Sequence, residues 1–276
     1  MAIVEAVAIG MLVMLAGTLP RNVLFAANLQ VLPRVPWAVA AIAVYLWFFW
    51  RYLSGIGGPA DTQAYRRAGL RANRVNGIVW FWSLVTGVLG ILALVLGLRV
   101  ANQLVGLPEQ HLPDLSAVPR HTVWALLLAG APIAGLVEEA SFRGYMQGPI
   151  EKRAGLPAAI LITGTMFAVA HLDFTPVLWP YYVSVAALYG VITYLAGSIW
   201  PAVILHTCGN VYSNVDLLLH GRAEWQAPGS AAGLVWSRGA DRSFVWLLTA
   251  LLISSAATAW ACARLAAAAR RGQEER

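Results

Sequence analysis

The sequence predicts an all-α fold, a polytopic membrane helix bundle of about eight transmembrane helices. Three observations lead there. Hydrophobic residues make up 59% of the 276 and charged residues only 12%, against roughly a quarter charged in soluble domains. A water-soluble fold of this size cannot hide so much apolar surface, whereas helices in hydrocarbon need not hide it. Apolar stretches also recur at lengths close to the ~20 residues that a helix needs to cross a bilayer, and the arginines collect in the gaps between them. The twelve tryptophans and nine tyrosines suit the headgroup level on either side.

The first stretch, residues 3 to 19, has no basic n-region and no small-x-small cleavage pattern before Arg21, and is read as a retained helix. The second, 37 to 54, runs into the stop signal of Gly55, Gly57, Gly58 and Pro59. The third covers 77 to 98. Pro108, Pro113 and Pro119 precede the fourth, 121 to 148, which is long, and the fifth, 157 to 172, is short; tilt or a submerged end is expected there. The sixth, seventh and eighth cover 179 to 197, 201 to 220 and 243 to 266. The turn Ala196-Gly197-Ser198-Ile199-Trp200-Pro201 carries no charge and is expected to be submerged or buried against protein. Residues 1 to 120 are expected to form N-terminal membrane helices, 121 to 220 a catalytic helical core, and 221 to 276 a loop and a last membrane helix, all within one membrane domain.

The positive-inside rule orients the spans. Arg51, Arg66, Arg67, Arg71 and Arg74, then Lys152 and Arg153, then Arg270, Arg271 and Arg276 all fall on one side if there are eight, with both termini cytoplasmic. Residues 20 to 36, 99 to 120, 172 to 178 and 221 to 242 would face outward, with Arg21 and Arg34 as exceptions. The net charge of +6 is therefore a topology signal. No basic patch with exposed aromatics, phosphate-cradling glycine loop or finger spacing is present, so neither nucleic acid nor nucleotide is expected as a partner. Cys208 and Cys262 lie in apolar stretches, which is no disulfide framework.

Chemistry concentrates in three places. Within the fourth stretch, Glu138, Glu139 and Arg143 sit in apolar surroundings, where ionisable groups face a bundle interior or a water-filled cavity. Glu139 and Arg143, at i and i+4, share a helix face and can pair, while Glu138 is turned about 100° away. Glu139 is thus expected to brace and Glu138 to react, since two close carboxylates raise the pKa of one, which suits proton transfer. Phe167 and His171 stand one turn apart in the fifth stretch, and His206 and Asn210 repeat that spacing in the seventh. At ~1.5 Å per residue Glu138 and His171 reach similar depth, and a buried turn before Pro201 carries His206 down to join them. Cys208 faces away by spacing, Thr207 is read as a helix-facing hydroxyl, and Phe142 and Tyr145 as inter-helix packing. Gly135, Gly144 and Gly209 are expected to permit close helix approach. His111, His121 and His220 are read as surface residues.

The ordered set Glu138-Glu139-x-x-x-Arg143, Phe167-x-x-x-His171 and His206-x-x-x-Asn210 resembles the three motifs of the CPBP family, which comprises the CAAX-processing type II prenyl endopeptidases and their bacterial homologues. The resemblance covers about residues 121 to 220. It implies an intramembrane endopeptidase in a bacterial cytoplasmic membrane, acting on a membrane-associated or lipidated peptide or protein, with membrane lipids around it. By that likeness Glu138 and His171 hold and activate a water, His206 and Asn210 stabilise the oxyanion, and Glu139 with Arg143 keeps the helix in register or seats the substrate. No cofactor is implied. Two alternatives stand beside this reading. Glu138, His171 and His206 are also a ligand set of the catalytic zinc type, and the same polar network could serve a non-catalytic scaffold or immunity protein. A transporter relay lacks paired discontinuous helices and an internal inverted repeat.

Overall fold

The computed structural model describes residues 2–107, 117–171, 176–221 and 234–274. They are helical, without strands among the described residues. Chain order gives α1 (Ile3–Gln30), α2 (Trp37–Leu53), α3 (Gln63–Leu70), α4 (Gly77–Val105), α5 (Arg120–Glu138), a π segment (Glu139–Gln147), α6 (Gly148–Ala170), α7 (Trp179–Ala196), α8 (Trp200–His220), α9 (Val235–Arg238) and α10 (Arg242–Glu274). Leu12, Leu15 and Leu19 on α1 and Trp246, Leu252 and Ile253 on α10 are each more than half exposed. Such surface belongs against lipid, and the chain is an all-α integral membrane protein.

Five helical stretches among the described residues are long and apolar enough to cross a membrane: Ile3–Gln30, Gly77–Val105, Arg120–Ala170, Pro176–Ala196 and Arg242–Gly272. The expected count of eight differs for visible reasons. Arg120–Ala170 is one continuous 51-residue helical stretch, interrupted only where Gly155 takes φ 79°, a conformation that favours glycine. Helix α2 has 17 residues, and α8 is diluted by His206, Asn210, Asn214 and Asp216. The expected outer connection over 20 to 36 is corrected in part, because α1 runs through Pro20 to Gln30 and carries Arg21 inside a helix. It ends where Asn28 ties it to α2, its amide donating to the Val35 carbonyl and its oxygen accepting from the Ala38 N–H. Pro108, Pro113, His111, Arg222 and Glu224 lie outside the described residues.

The chain forms two compact units. The first holds residues 1–74, 113–159 and 197–215, and the second 75–112, 160–196 and 216–276. Apolar burial gains little between helices in lipid, so close contact falls to small residues. In the first unit, a Cβ on Gly10 would stand 2.8 Å from Met146 Cβ, and one on Gly17 2.4 Å from Val137 Cγ1; α1 thus lies directly on α5 and the π segment. A Cβ on Gly144 would come 2.8 Å from the Gly69 carbonyl of α3, as expected of that glycine. In the second unit, a Cβ on Gly90 of α4 would stand 2.5 Å from Leu188 Cδ1 of α7.

The charge-free turn before α8 is buried, as expected. Ser198 and Ile199 have no exposed surface. The Ile199 N–H donates to the Arg71 carbonyl, Ser198 Oγ to the Asn73 carbonyl, and Asn73 Nδ2 to the Gly197 carbonyl. The turn's polar groups are thus satisfied by the strand of chain after α3 and need no water.

Candidate active site

Glu138 ends α5, and Glu139 opens the π segment, all nine residues of which are buried. A helix closing i→i+5 is rare, occurs mostly as short insertions in α-helices, and is frequent at functional sites. Neither composition nor periodicity marks this one. It is held by its neighbours: Tyr145 Oη donates within reach of the Leu53 and Arg66 carbonyls, at 3.1 and 2.8 Å, Ser141 Oγ donates back to the Val137 carbonyl, and Phe142 is fully buried. Phe142 and Tyr145 are therefore packing residues, as read from the sequence.

The two carboxylates divide their contacts. Glu139, with no exposed surface, meets Arg143 Nη1 at 3.3 Å, an ion pair within the segment. The same oxygen, Oε1, lies 2.7 Å from His206 Nδ1. The sequence foresaw the first contact and missed the second, because the second joins positions 67 residues apart. Facing a carboxylate, Nδ1 carries the proton and donates, which turns Nε2 toward Glu138, whose Oε2 is 3.7 Å away. Glu138 Oε2 is buried and accepts no hydrogen bond from the described residues. Glu138 is 9% exposed and His206 6%, so both stand in a low-dielectric setting where charge acts strongly.

Gly135 sets the distance between α5 and α8. A Cβ there would stand 2.4 Å from Thr207 Oγ1 and 3.1 Å from the Thr207 nitrogen and the Val203 carbonyl, so the backbones touch beside His206. Thr207 accordingly packs against α5, and Cys208 is exposed. One turn beyond His206, Asn210 lines a cavity of about 440 Å³ in the first unit, together with Arg21, Asn22 and Asn214. Asn214 is fixed there, its Nδ2 donating to the Leu127 carbonyl at 2.7 Å.

The structure thus brings together Glu138, Glu139, Arg143 and His206, with Asn210 on the same helix as His206. His171 belongs to the second unit. It ends α6, with its ring 4.5 Å from that of Phe167 and 4.6 Å from that of Tyr182, and Nδ1 2.8 Å from the Phe167 carbonyl. That contact gives Nδ1 the proton and leaves Nε2 as the basic nitrogen. No group of three His, Cys, Asp or Glu side chains among the described residues is arranged to hold a metal ion. His121 and His220 are exposed, the first bonded to the Arg34 carbonyl and the second to Asp216. Arg21, which the sequence reading set in an outward connection, lies inside α1 instead and lines the same cavity as Asn210.

The fold and the site define an integral membrane protein whose buried acid–histidine cluster is of the kind that hydrolytic enzymes use. Residues 120–212 match one family model, described as type II CAAX prenyl endopeptidase, Rce1-like. That match is consistent with the CPBP family that the three motifs resemble, and at the level of the family it supports a CAAX-type intramembrane protease. No curated protein and no solved structure matches the chain significantly.

Proposed function

We propose that this chain is an intramembrane endopeptidase in which Glu138 is the general base that takes a proton from the attacking water. The observation that carries this is the clamping of His206: Glu139 fixes Nδ1, so Nε2 faces Glu138 across 3.7 Å. A peptide carbonyl at that gap would meet an acid on one side and a ring nitrogen on the other. With both nitrogens protonated, His206 donates to the developing oxyanion while the two carboxylates balance its charge. The Asn210 amide adds a second donor, and such preorganised donors commonly supply the largest share of rate enhancement. Glu139 and Arg143 position this set. By the family resemblance His171 is a further catalytic residue, its Nε2 left basic by the contact of Nδ1 with the Phe167 carbonyl.

The catalytic core is assigned to residues 121 to 220, and the substrate class to membrane-associated or lipidated peptides and proteins. The chain would lie in a bacterial cytoplasmic membrane with both termini cytoplasmic, an orientation supported by its arginine distribution. The water needs no metal in this mechanism.

The test is cleavage of labelled membrane peptides, prenylated and unprenylated, by purified protein and by Glu138→Gln, with and without a strong zinc chelator. Cleavage that is lost in Glu138→Gln and survives chelation is the expected result. Loss on chelation with rescue by zinc would replace it with the zinc mechanism through Glu138, His171 and His206. No cleavage by a folded protein that binds a partner would favour the non-catalytic scaffold.

A further inference from the structure

In the second unit, a groove of about 610 Å³ runs where α4, α7 and α10 meet. Small residues make it: Gly90, Ala93 and Gly97 on α4, Ala187 on α7 and Ala259 on α10. It opens outward, since Ser184, Ser255 and Ala259 on its rim are exposed. Along α10 its lining runs from Leu251 to Cys262, and along α7 from Pro180 to Val191, a rise of ~16 Å in each. Half the ~30 Å hydrocarbon core of a bilayer is about the same length. Its hydroxyls ask for little, because Thr86, Ser184 and Thr258 each donate to a carbonyl one turn back in their own helix. An extended peptide laid there would leave N–H and C=O groups unpaired in lipid, whereas an alkyl chain has none to pair.

One end of the groove carries a cation. Gly97 faces Leu251 and Arg264 lies over the Trp82 ring at 5.5 Å, so α10 runs antiparallel to α4 and Thr86 comes level with Cys262. Arg264 is two residues beyond Cys262, and Trp82 is one turn before Thr86. Trp260 stands edge-on against Trp82 at 5.4 Å and is 57% exposed. The Arg264 side chain is exposed too. Its own helices offer no counterion, because α4 and α7 contain no acidic residue and α10 has none before Glu274. An aromatic pair beside an arginine suits the headgroup level of a membrane, and there the anion comes from the lipid. The geometry points to this groove as the binding site of one anionic phospholipid, its phosphate on Arg264 and one acyl chain laid between α7 and α10. A guanidinium offers paired donors to a phosphate, and the indole N–H groups of Trp82 and Trp260 can add to them. The lipid belongs to the leaflet that the C-terminal end of α10 reaches, the cytoplasmic one in the orientation proposed above, where basic residues attract anionic lipids. Burying the chain gains little over bulk lipid, so selection falls to the headgroup. Every part of the site lies in the second unit, and the inference does not depend on the protease reading.

Native mass spectrometry of the full-length protein in detergent, titrated with dioleoyl phosphatidylglycerol or dioleoyl phosphatidylcholine, tests this. The chains are identical and both headgroups hold a phosphate, but only the first is a net anion. Wild type is expected to hold one phosphatidylglycerol about tenfold more tightly than phosphatidylcholine, as a charge-assisted hydrogen bond implies. Arg264→Gln should bind the two equally, while Arg270→Gln combined with Arg271→Gln should keep the preference. Ala259→Leu, which fills the groove from an exposed position, should weaken binding of both lipids. A preference that survives Arg264→Gln, or that follows Arg270 and Arg271 instead, overturns the site and marks general attraction to a basic helix end. Binding that Ala259→Leu leaves unchanged overturns the groove as the seat of the chain. Displacement of phosphatidylglycerol by farnesol at equal concentration also overturns the proposal, since the groove would then prefer an isoprenoid. Wild type that binds both lipids equally sinks it whether or not the variants fold.

Discussion

Replacing each adjacent carboxylate by its amide should give opposite signatures. Glu139→Gln keeps the shape and an acceptor for His206 Nδ1, yet removes the negative charge 3.3 Å from the fully buried Arg143. Breaking a buried ion pair by neutralising one partner costs about 3–5 kcal/mol, because the other charge stays buried. At about 2–4 °C per kcal/mol for a chain of this size, the apparent Tm should fall on the order of 10 °C. Glu138→Gln removes a carboxylate whose Oε2 already lacks a hydrogen bond to the described residues, so Tm should move by less than about 3 °C. Thermal unfolding of detergent-purified protein, followed by intrinsic tryptophan fluorescence, reads both. Peptide cleavage on the same samples should vanish in Glu138→Gln even at temperatures where it is fully folded. Equal destabilisation by the two variants would refute the division of labour and return both acids to a structural network.

Gly135→Ala should lower stability by about 1–3 kcal/mol, the range for overpacking, and cleavage with it, because Thr207 can rotate but the Thr207 nitrogen and Val203 carbonyl at 3.1 Å cannot; Gly97→Ala, whose Cβ would meet Leu251 Cδ1 at 3.9 Å, should be silent in both assays. Tyr145→Phe leaves the Leu53 and Arg66 carbonyls without a shared donor and should cost about 1–2 kcal/mol in thermal unfolding, with cleavage of prenylated and unprenylated peptides falling in parallel. Arg71 has φ 54° and pairs with Glu151 at 3.1 Å. Arg71→Gly should therefore be less destabilising than Arg71→Ala by about 1 kcal/mol, and the reverse order in unfolding would show that the left-handed backbone stores no strain.

Local signals in the sequence were sufficient for the helices and the motifs. Charge scarcity and ~20-residue apolar runs marked the helices because lipid imposes both on any span, and Asn76, whose side chain accepts from the Ile78 N–H, capped α4 where a start was read. Glu139 with Arg143 was legible from four-residue spacing alone. What escaped depended on contacts distant in sequence. The bond from Glu139 to His206 joins two helices, the π segment follows from how Tyr145 and Met146 are held, and α1 passes Pro20 because neighbouring helices in a membrane bundle tolerate a proline. Short helix α3 lay hidden because its eight residues are too few for periodicity to show.

The arginine-rich connection between α2 and α4 carries more than a topology signal. Arg66 stacks over Tyr52, 4.2 Å from the ring centroid, while its own carbonyl receives Tyr145 of the π segment. Next along, the Arg71 carbonyl accepts the Ile199 N–H, its guanidinium reaches Glu151 and the Arg143 carbonyl, and Trp50 meets Trp200 at 5.1 Å. One short stretch therefore fixes both the segment that bears Glu139 and the turn from which α8 departs toward His206. Those two elements place a carboxylate oxygen and an imidazole nitrogen 2.7 Å apart, a distance that tolerates little slack. Contacts made through backbone carbonyls constrain the path of the chain rather than the identity of each arginine, so the charges here can answer to the membrane while the backbone answers to the site.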